Sequence, residues 1–264
     1  MLNAIADSTP TRSYVRQGHE NKLLAALPQD DYARVAPMLT VVPMRFKQTL
    51  HKQGERVERV YFPTGGALSL VRNMSDGHVA EIAAIGSEGV AGAHVFFGET
   101  ESVGDTIVQV PNGEGYAMAA DAFNEEMHRR GAFYNLIIRY YAALTNQVMQ
   151  TSVCNSLHSA EERGCRWLLM THDRVGRHEF QLTHEFMAGM LGVRRPTVTL
   201  IAGSLQRSGL IAYRRGYVTI LNREGLESAS CECYESVKAS YRRLLPEIST
   251  VPGLANAPVA ILSA

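Results

Sequence analysis

The sequence predicts an α+β protein: an antiparallel β-roll or barrel, then one long helix, then a helix-turn-helix unit ending in a basic hairpin. Three observations carry this. Residues 41 to 120 run as short apolar stretches split by glycine. Residues 132 to 156 repeat apolar side chains every three or four positions. Residues 181 to 221 hold two helical patterns with a glycine between them, followed by two strand-like runs around Arg214-Arg215-Gly216.

The chain has 264 residues, enough for two domains and an ample core. Apolar residues make up 45% and charged residues 20%, which fits a water-soluble chain. No apolar run reaches membrane-spanning length. The first stretch, MLNAIADSTPTRSYVRQGHE, has neither a long apolar core nor an evident cleavage site, so no signal peptide and a cytoplasmic location are expected. The four cysteines, Cys154, Cys165, Cys231 and Cys233, make no disulfide framework. The net charge of zero hides a division. Residues 159 to 223 hold ten arginines, no lysine and five acidic residues, whereas residues 1 to 158 hold 13 basic and 16 acidic ones. A basic module set between acidic ones is the electrostatic footprint of phosphate binding.

In chain order, residues 1 to 18 are polar and are expected to be mobile. Leu23, Leu24 and Leu27 give a short helical signal that Pro28 breaks, and a second helix follows from about Asp30. Strands are expected at Val60–Phe62, Ala67–Val71, Val79–Ile85 and Thr106–Val110. Turn signals lie at Gln53-Gly54, Gly65-Gly66, Asp76-Gly77, Ser87-Glu88-Gly89 and Asn112-Gly113, a spacing that suits antiparallel strands. A helix is expected from Asp121 to about Arg130, then a longer one from about Ala132 to Ser156. On the longer helix Phe133, Ile137, Tyr140, Leu144 and Val148 form an a/d-like stripe. Such a stripe packs either on its own module or on a second copy. A helix this long between two compact modules needs a partner surface, so the stripe is read as a homodimer seam. Ala160 to His172 is a further helix and carries the one tryptophan, Trp167.

The most informative stretch follows. Thr183 can cap a helix that holds Phe186, Met187, Met190 and Leu191 on one side and ends at Gly192. A second helix starts near Arg195, with Pro196 suited to its first turn, and buries Val198, Ile201, Ala202 and Leu205. Gly209 ends it, and two strand-like runs meet at the Arg215-Gly216 turn. This is the pattern of a winged helix-turn-helix, whose second helix enters the DNA major groove while the wing touches backbone. A last helix is expected from Gly225 to Leu245, with a frayed end from Pro246. The chain thus divides into a roll at 20–130, the long helix at 131–158, the winged unit at 159–245 and a mobile tail at 246–264.

Three segments, VYFPTGGALSLVRNMSDGHVAEIAAIGSEG, SAEERGCRWLLM and LTHEFMAGMLGVRRPTVTLIAGSLQRSGLIAYRRGYVTI, resemble the Crp/Fnr family of bacterial transcription regulators over about residues 21 to 245. The resemblance implies a cyclic-nucleotide-binding-like jelly roll, and a homodimer that binds a near-palindromic double-stranded DNA site and acts on RNA polymerase. The chain departs from the cyclic-nucleotide members. In GVAGAHVFFGETESVGDTIVQV the glutamate place falls near Ala91 or Gly92, and the phosphate-binding arginine place near Gly104 or Asp105. No Lys or Arg occurs from Met74 to Ala120, so a bound phosphate would lack its charge-assisted partner, and cyclic AMP or GMP is not expected as effector. No cysteine lies before Cys154, unlike the iron–sulfur members. For haem, only the scattered His51, His78 and His94 offer themselves. No cofactor is therefore expected and the effector is unassigned. Cys231 and Cys233, two apart on the expected last helix, would not share a face, so no metal site is expected there.

On the winged unit, Arg195 is the expected base reader, with guanine O6/N7 as its favoured target. Arg194, His184, Thr197, Arg214 and Arg215 are expected to hold phosphates, and Thr199 joins the same set. Pro196 and Leu200 stand where the family often has a glutamate and an arginine, so the operator should differ at those bases. The competing reading is an enzyme or small-molecule binder on a cupin-like roll. The roll has no His-x-His pair, and the chain has no nucleophile motif, P-loop or dinucleotide loop, so no enzyme activity is expected.

Overall fold

The computed structural model describes residues 21–111 and 113–249. It opens with two short helices, α1 (Lys22–Ala25) and α2 (Gln29–Val35). Asn21 caps α1 by accepting from the Leu23 and Leu24 N–H groups, while its own amide donates to the carbonyl oxygens of Pro63 and Gly89. One fully buried polar side chain thus pins this end to the strands behind it.

Seven strands follow: β1 (Thr40–Pro43), β2 (Thr49–His51), β3 (Arg59–Pro63), β4 (Ala67–Asn73), β5 (Val79–Ile85), β6 (Asp105–Val110) and β7 (Glu114–Ala119). They form two antiparallel sheets, ordered β1-β7-β3 and β2-β6-β4-β5. Gly77, at φ 83°, makes the Asp76-Gly77 turn that joins β4 to β5, a conformation a side chain would strain. Val60, Phe62 and Met118 face inward from the first sheet. They meet the next two helices, α3 (Ala120–His128) and α4 (Ala132–Leu157).

Beyond α4 come α5 (Ala160–Val175), β8 (Glu179–Gln181), α6 (His184–Leu191), α7 (Arg195–Arg207), β9 (Ile211–Arg214) and β10 (Tyr217–Ile220). A capping box starts α5: Ser159 Oγ accepts from the Glu162 N–H, and Glu162 accepts from the Ser159 N–H. The hairpin is part of a three-stranded sheet ordered β8-β10-β9, and β8 was not foreseen from the sequence. Three residues are too few to show a period of two, and only pairing with β10 makes them a strand.

The expected last helix is two: α8 (Arg223–Ser228) and α9 (Cys233–Leu244), with a turn at 229–232 between them. A further turn of helix, α10 (Pro246–Ser249), follows where fraying was expected, and Ile248 is buried with Leu245 in the core beneath the roll. Residues 250–264 and the expected mobile stretch 1–18 lie outside the described residues.

The stripe expected to form the dimer seam needs correction. Phe133, Ile137 and Tyr140 are fully buried in the chain's own core, where Phe133 packs edge-on to Phe123 and against Phe62. Leu144 is partly buried against the same core, and Val148 is also partly covered. The roll and the antiparallel α9 enclose this side of α4. The large apolar side chains α4 leaves open are Met149, Val153 and Leu157, at 62, 48 and 75% exposure, one turn apart on another side of the helix.

The roll and the winged unit also share a core. Ala67, Val71 and Val110 pack with Trp167, Phe180, Met187 and Leu191. Across this seam Glu81, which also accepts from Ser69 Oγ of its own sheet at 2.6 Å, accepts from Trp167 Nε1 at 3.0 Å, and Gln109 Nε2 donates to Thr171 Oγ1 at 3.2 Å. Arg174 pairs with Glu88 at 2.8 Å.

Candidate nucleic-acid interface

The local sequence builds the helix-turn-helix step by step. Thr183 Oγ1 accepts from the Phe186 N–H at 3.1 Å and starts α6. Gly192, at φ 61°, ends α6, and Val193 N–H bonds back to the Ala188 carbonyl. Arg194 is the N-cap of α7, and Arg195-Pro196 form its first two positions. Val198, Ile201, Ala202 and Leu205 are buried against α5 and α6, so the opposite side of α7 must face outward. Arg194, Arg195, Pro196, Thr199 and Leu200 are exposed there, and Thr197 is partly covered. Leu200 is 74% exposed and lies one turn beyond Pro196.

The wing is a two-residue hairpin. Arg214 pairs with Tyr217, and Arg215 and Gly216 turn the chain with φ of 50° and 82°. Two positive φ values fit a type I′ turn, which matches the twist of the strands. Arg214 and Arg215 are both exposed. Gln206 Oε1 accepts from the Tyr213 N–H at 2.9 Å, and Tyr213 Oη donates to the Leu182 carbonyl. These bonds fix the wing to α7 and to the segment that leads into α6.

Two of the expected contact residues, His184 and Thr199, are partly engaged already. His184 Nδ1 lies 3.1 Å from Thr199 Oγ1, which also reaches the Arg195 carbonyl. The His184 ring packs at a tilt against Tyr213, 4.5 Å between centroids. Burial and the neighbouring Arg195 charge hold its pKa below the ordinary value. His184 in the unbound chain is therefore a neutral hydrogen-bonding group at neutral pH rather than a standing cation.

The ten arginines of the basic module divide in two. Arg163, Arg166, Arg174 and Arg223 are bound inside the chain, Arg223 to Asp173 at 2.7 Å, and Arg177 leans on the Pro111 carbonyl. Arg194, Arg195, Arg207, Arg214 and Arg215 are exposed, with no salt bridge among the described residues. Four of the ten arginines counted in the sequence are thus engaged within the chain, and Arg177 is exposed. Arg207, near the end of α7, was missed because nothing in sequence separates it from a helix-terminal cation.

In the roll, the candidate effector positions are engaged by the chain itself. Gly104 is packed so closely on the Val71 carbonyl that a Cβ would collide. The Asp105 carboxylate accepts from the Gln53 N–H at 2.7 Å and from Asn73 Nδ2 at 2.8 Å. His51 is hydrogen-bonded at both ring nitrogens, to Thr106 and to the Arg59 carbonyl. His78 pairs with Asp76, and His94 Nε2 with the Glu101 carbonyl.

Residues 162–229 match the model of the Crp-like helix-turn-helix domain. A CRP-family transcriptional regulator from Thermus thermophilus is 20% identical, with a TM-score of 0.60 over 72% of this chain and 96% of that one. A putative transcriptional regulator of the crp/fnr family from Eubacterium rectale is 18% identical, with a TM-score of 0.60 over 80% and 99%. The c-di-GMP-responsive global regulator CLP of Xanthomonas campestris is 12% identical, with a TM-score of 0.61 over 74% and 100%. No curated protein matches the sequence.

Proposed function

We infer that this chain, of the Crp/Fnr family by its helix-turn-helix domain and its fold, is a transcription regulator that binds double-stranded DNA as a homodimer. The observation that carries this is the outer side of α7 flanked by the wing. Arg195 stands at the helix start, Leu200 lies one turn on, and Arg214 and Arg215 project from a rigid turn. Arg195 reads a base edge, and its fork fits guanine O6/N7. Leu200 supplies an apolar contact of the kind that prefers a thymine methyl. Arg194, Thr197, Arg207, Arg214 and Arg215 hold phosphates. His184 and Thr199 brace α6 against α7 and give phosphate contacts through their remaining hydrogen-bonding capacity.

The second copy docks on the open side of α4, where Met149, Val153 and Leu157 continue a partly covered line through Ile138, Tyr141 and Thr145. A pair of winged units on one two-fold axis requires a near-palindromic site. The regulator acts in the cytoplasm through RNA polymerase, as the family resemblance implies, and without enzymatic activity. No helix among the described residues is long and apolar enough to cross a membrane.

Control by cyclic AMP or GMP is not part of this reading. The absence of Lys and Arg from Met74 to Ala120 and the structural bonds of Asp105 support that. Selection of bound fragments from random double-stranded DNA tests the proposal. A two-fold symmetric motif, bound with steep salt dependence, is the expected result. Equal affinity for all sequences would refute it. Calorimetry with cyclic AMP and GMP tests the effector reading, and stoichiometric micromolar binding of either would overturn it.

A further inference from the structure

The joint between α4 and α5 gathers four side chains whose chemistry the DNA-binding role does not use. Cys154 lies in the last turn of α4, and His158 is that helix's C-cap, one turn on. The chain leaves α8 at Ser228, turns, and enters α9 at Cys233. Cys231 therefore lies outside the helix, and the expectation that Cys231 and Cys233 point apart, which assumed one unbroken helix, fails. The turn brings both sulfurs to the end of α4. One ligand atom each from Cys154, His158, Cys231 and Cys233 lies within 4.8 Å of all the others. Cys154 Sγ is 3.5 Å from Cys231 Sγ, and Cys233 Sγ is 3.5 Å from His158 Nδ1. All three cysteines are buried.

These spacings match one small ion. A tetrahedron with metal–sulfur bonds of about 2.3 Å has edges of about 3.8 Å, so minor side-chain rotation closes the set on a single centre. Three thiolates and an imidazole are soft and borderline donors. They disfavour magnesium and calcium and suit zinc. The surroundings fit as well. His158 Nε2, the nitrogen left over, lies 3.2 Å from Glu232 Oε2, the carboxylate contact that orients a metal-bound imidazole. Gln150 Nε2 donates to Cys233 Sγ at 3.1 Å.

We propose that Cys154, His158, Cys231 and Cys233 form a closed Cys3His zinc site that locks the joint between the long helix and the winged unit. All four positions are filled by protein, so the ion is structural and activates no water. Its ligands come from the end of α4 and from the turn into α9, on either side of α5 to β10 in sequence. Zinc thus fixes the direction in which α5 to β10 leave α4, and its loss loosens the winged unit at its root.

The test uses the full chain and does not depend on DNA. Protein expressed with zinc and purified under reductant should carry one zinc per chain by elemental analysis. After chelation under reductant, cobalt(II) should give the intense visible bands of a tetrahedral site and a sulfur-to-cobalt charge-transfer band. Both should saturate at one equivalent and disappear on adding zinc. His158→Ala and Cys233→Ser should each abolish the stoichiometric spectrum. Glu232→Ala should keep the spectrum but weaken zinc binding about 10- to 100-fold. Wild-type chain that holds no zinc and gives no tetrahedral cobalt spectrum overturns the proposal. So does a Cys154–Cys231 disulfide in a chain whose reduced form binds neither metal. The wild-type measurements stand even where a variant fails to fold.

Discussion

Arg195 and Arg215 carry the same charge, yet they should fail differently when removed. Arg195 begins α7, and in the proposed complex two hydrogen bonds to one guanine would fix its place. Arg195→Ala should cost about 1–3 kcal/mol on the cognate site and flatten the preference at one base pair. Arg215 lies in the wing turn, the part of the proposed complex that would meet phosphate. Arg215→Ala should weaken every sequence alike and lower the salt slope by about one unit. Anisotropy titrations against the cognate site, single-base variants and random DNA over a range of salt separate the two. If neither substitution changes the ranking of base variants, Arg195 is a phosphate clamp and Arg194 is the next candidate reader. Thr183 acts at the same scale on stability. Its hydroxyl caps α6, so Thr183→Ala should cost about 1 kcal/mol in denaturant unfolding. An unchanged midpoint would show that the cap contributes nothing.

The long helix shows why a stripe does not name its partner. Phe133, Ile137 and Tyr140 have the spacing of a dimer seam, but spacing only says that a helix side is covered, and here the roll and α9 cover it. The open line through Met149, Val153 and Leu157 is diluted by Gln150, Thr151 and Ser152, so it reads weakly in sequence. Two substitutions distinguish these sides. Met149→Glu with Leu157→Glu should give a folded monomer by light scattering, with DNA affinity largely lost. Ile137→Asp places a charge in the closed core and should unfold the chain rather than merely separate the copies. A dimer that survives the double substitution would move the interface off this part of α4.

Across the whole molecule, the roll and the winged unit are joined by a buried polar seam with a titrating group in it. Glu81 is enclosed between Ser69 and Trp167, and burial raises its pKa above the ordinary 4.5, more than the hydrogen bonds and the charges of Arg174 and Arg166 lower it. The folded chain therefore holds this proton more tightly than the unfolded chain does. The sign follows directly. Glu81 opposes folding least when both states are protonated, and stability falls as pH rises from 4.5 through the raised folded pKa. Glu81→Gln keeps the shape and removes the titration. Its stability relative to wild type should rise as pH increases above 4.5, as read from denaturant midpoints. A difference that does not change with pH would mean that Glu81 does not titrate in the seam. The carboxylate of Glu88 and the guanidinium of Arg174 face the same seam and pair with each other, and because both are present in wild type and variant, their contribution cancels in the comparison.

The sequence by itself determined what depends on near neighbours. Thr183 before α6, Gly192 after it, Pro196 in the first turn of α7 and the Arg215-Gly216 hairpin are each set by capping, φ limits or missing donors within a few residues. The inward side of α7 was legible for the same reason, since Val198, Ile201, Ala202 and Leu205 lie on one helix. The strands β3 to β6 were legible because glycine turns bound continuous apolar runs. Only the tertiary structure decided which partner each surface meets. It paired β8 with β10, turned the dimer stripe of α4 into core, and engaged four of the basic module's ten arginines in bonds within the chain. It also broke the last helix at 229–232, so that Cys231 and Cys233 reach Cys154 and His158, more than seventy residues back. No local pattern encodes such a meeting, because which surfaces touch is fixed by how the whole chain packs rather than by the spacing of residues along it.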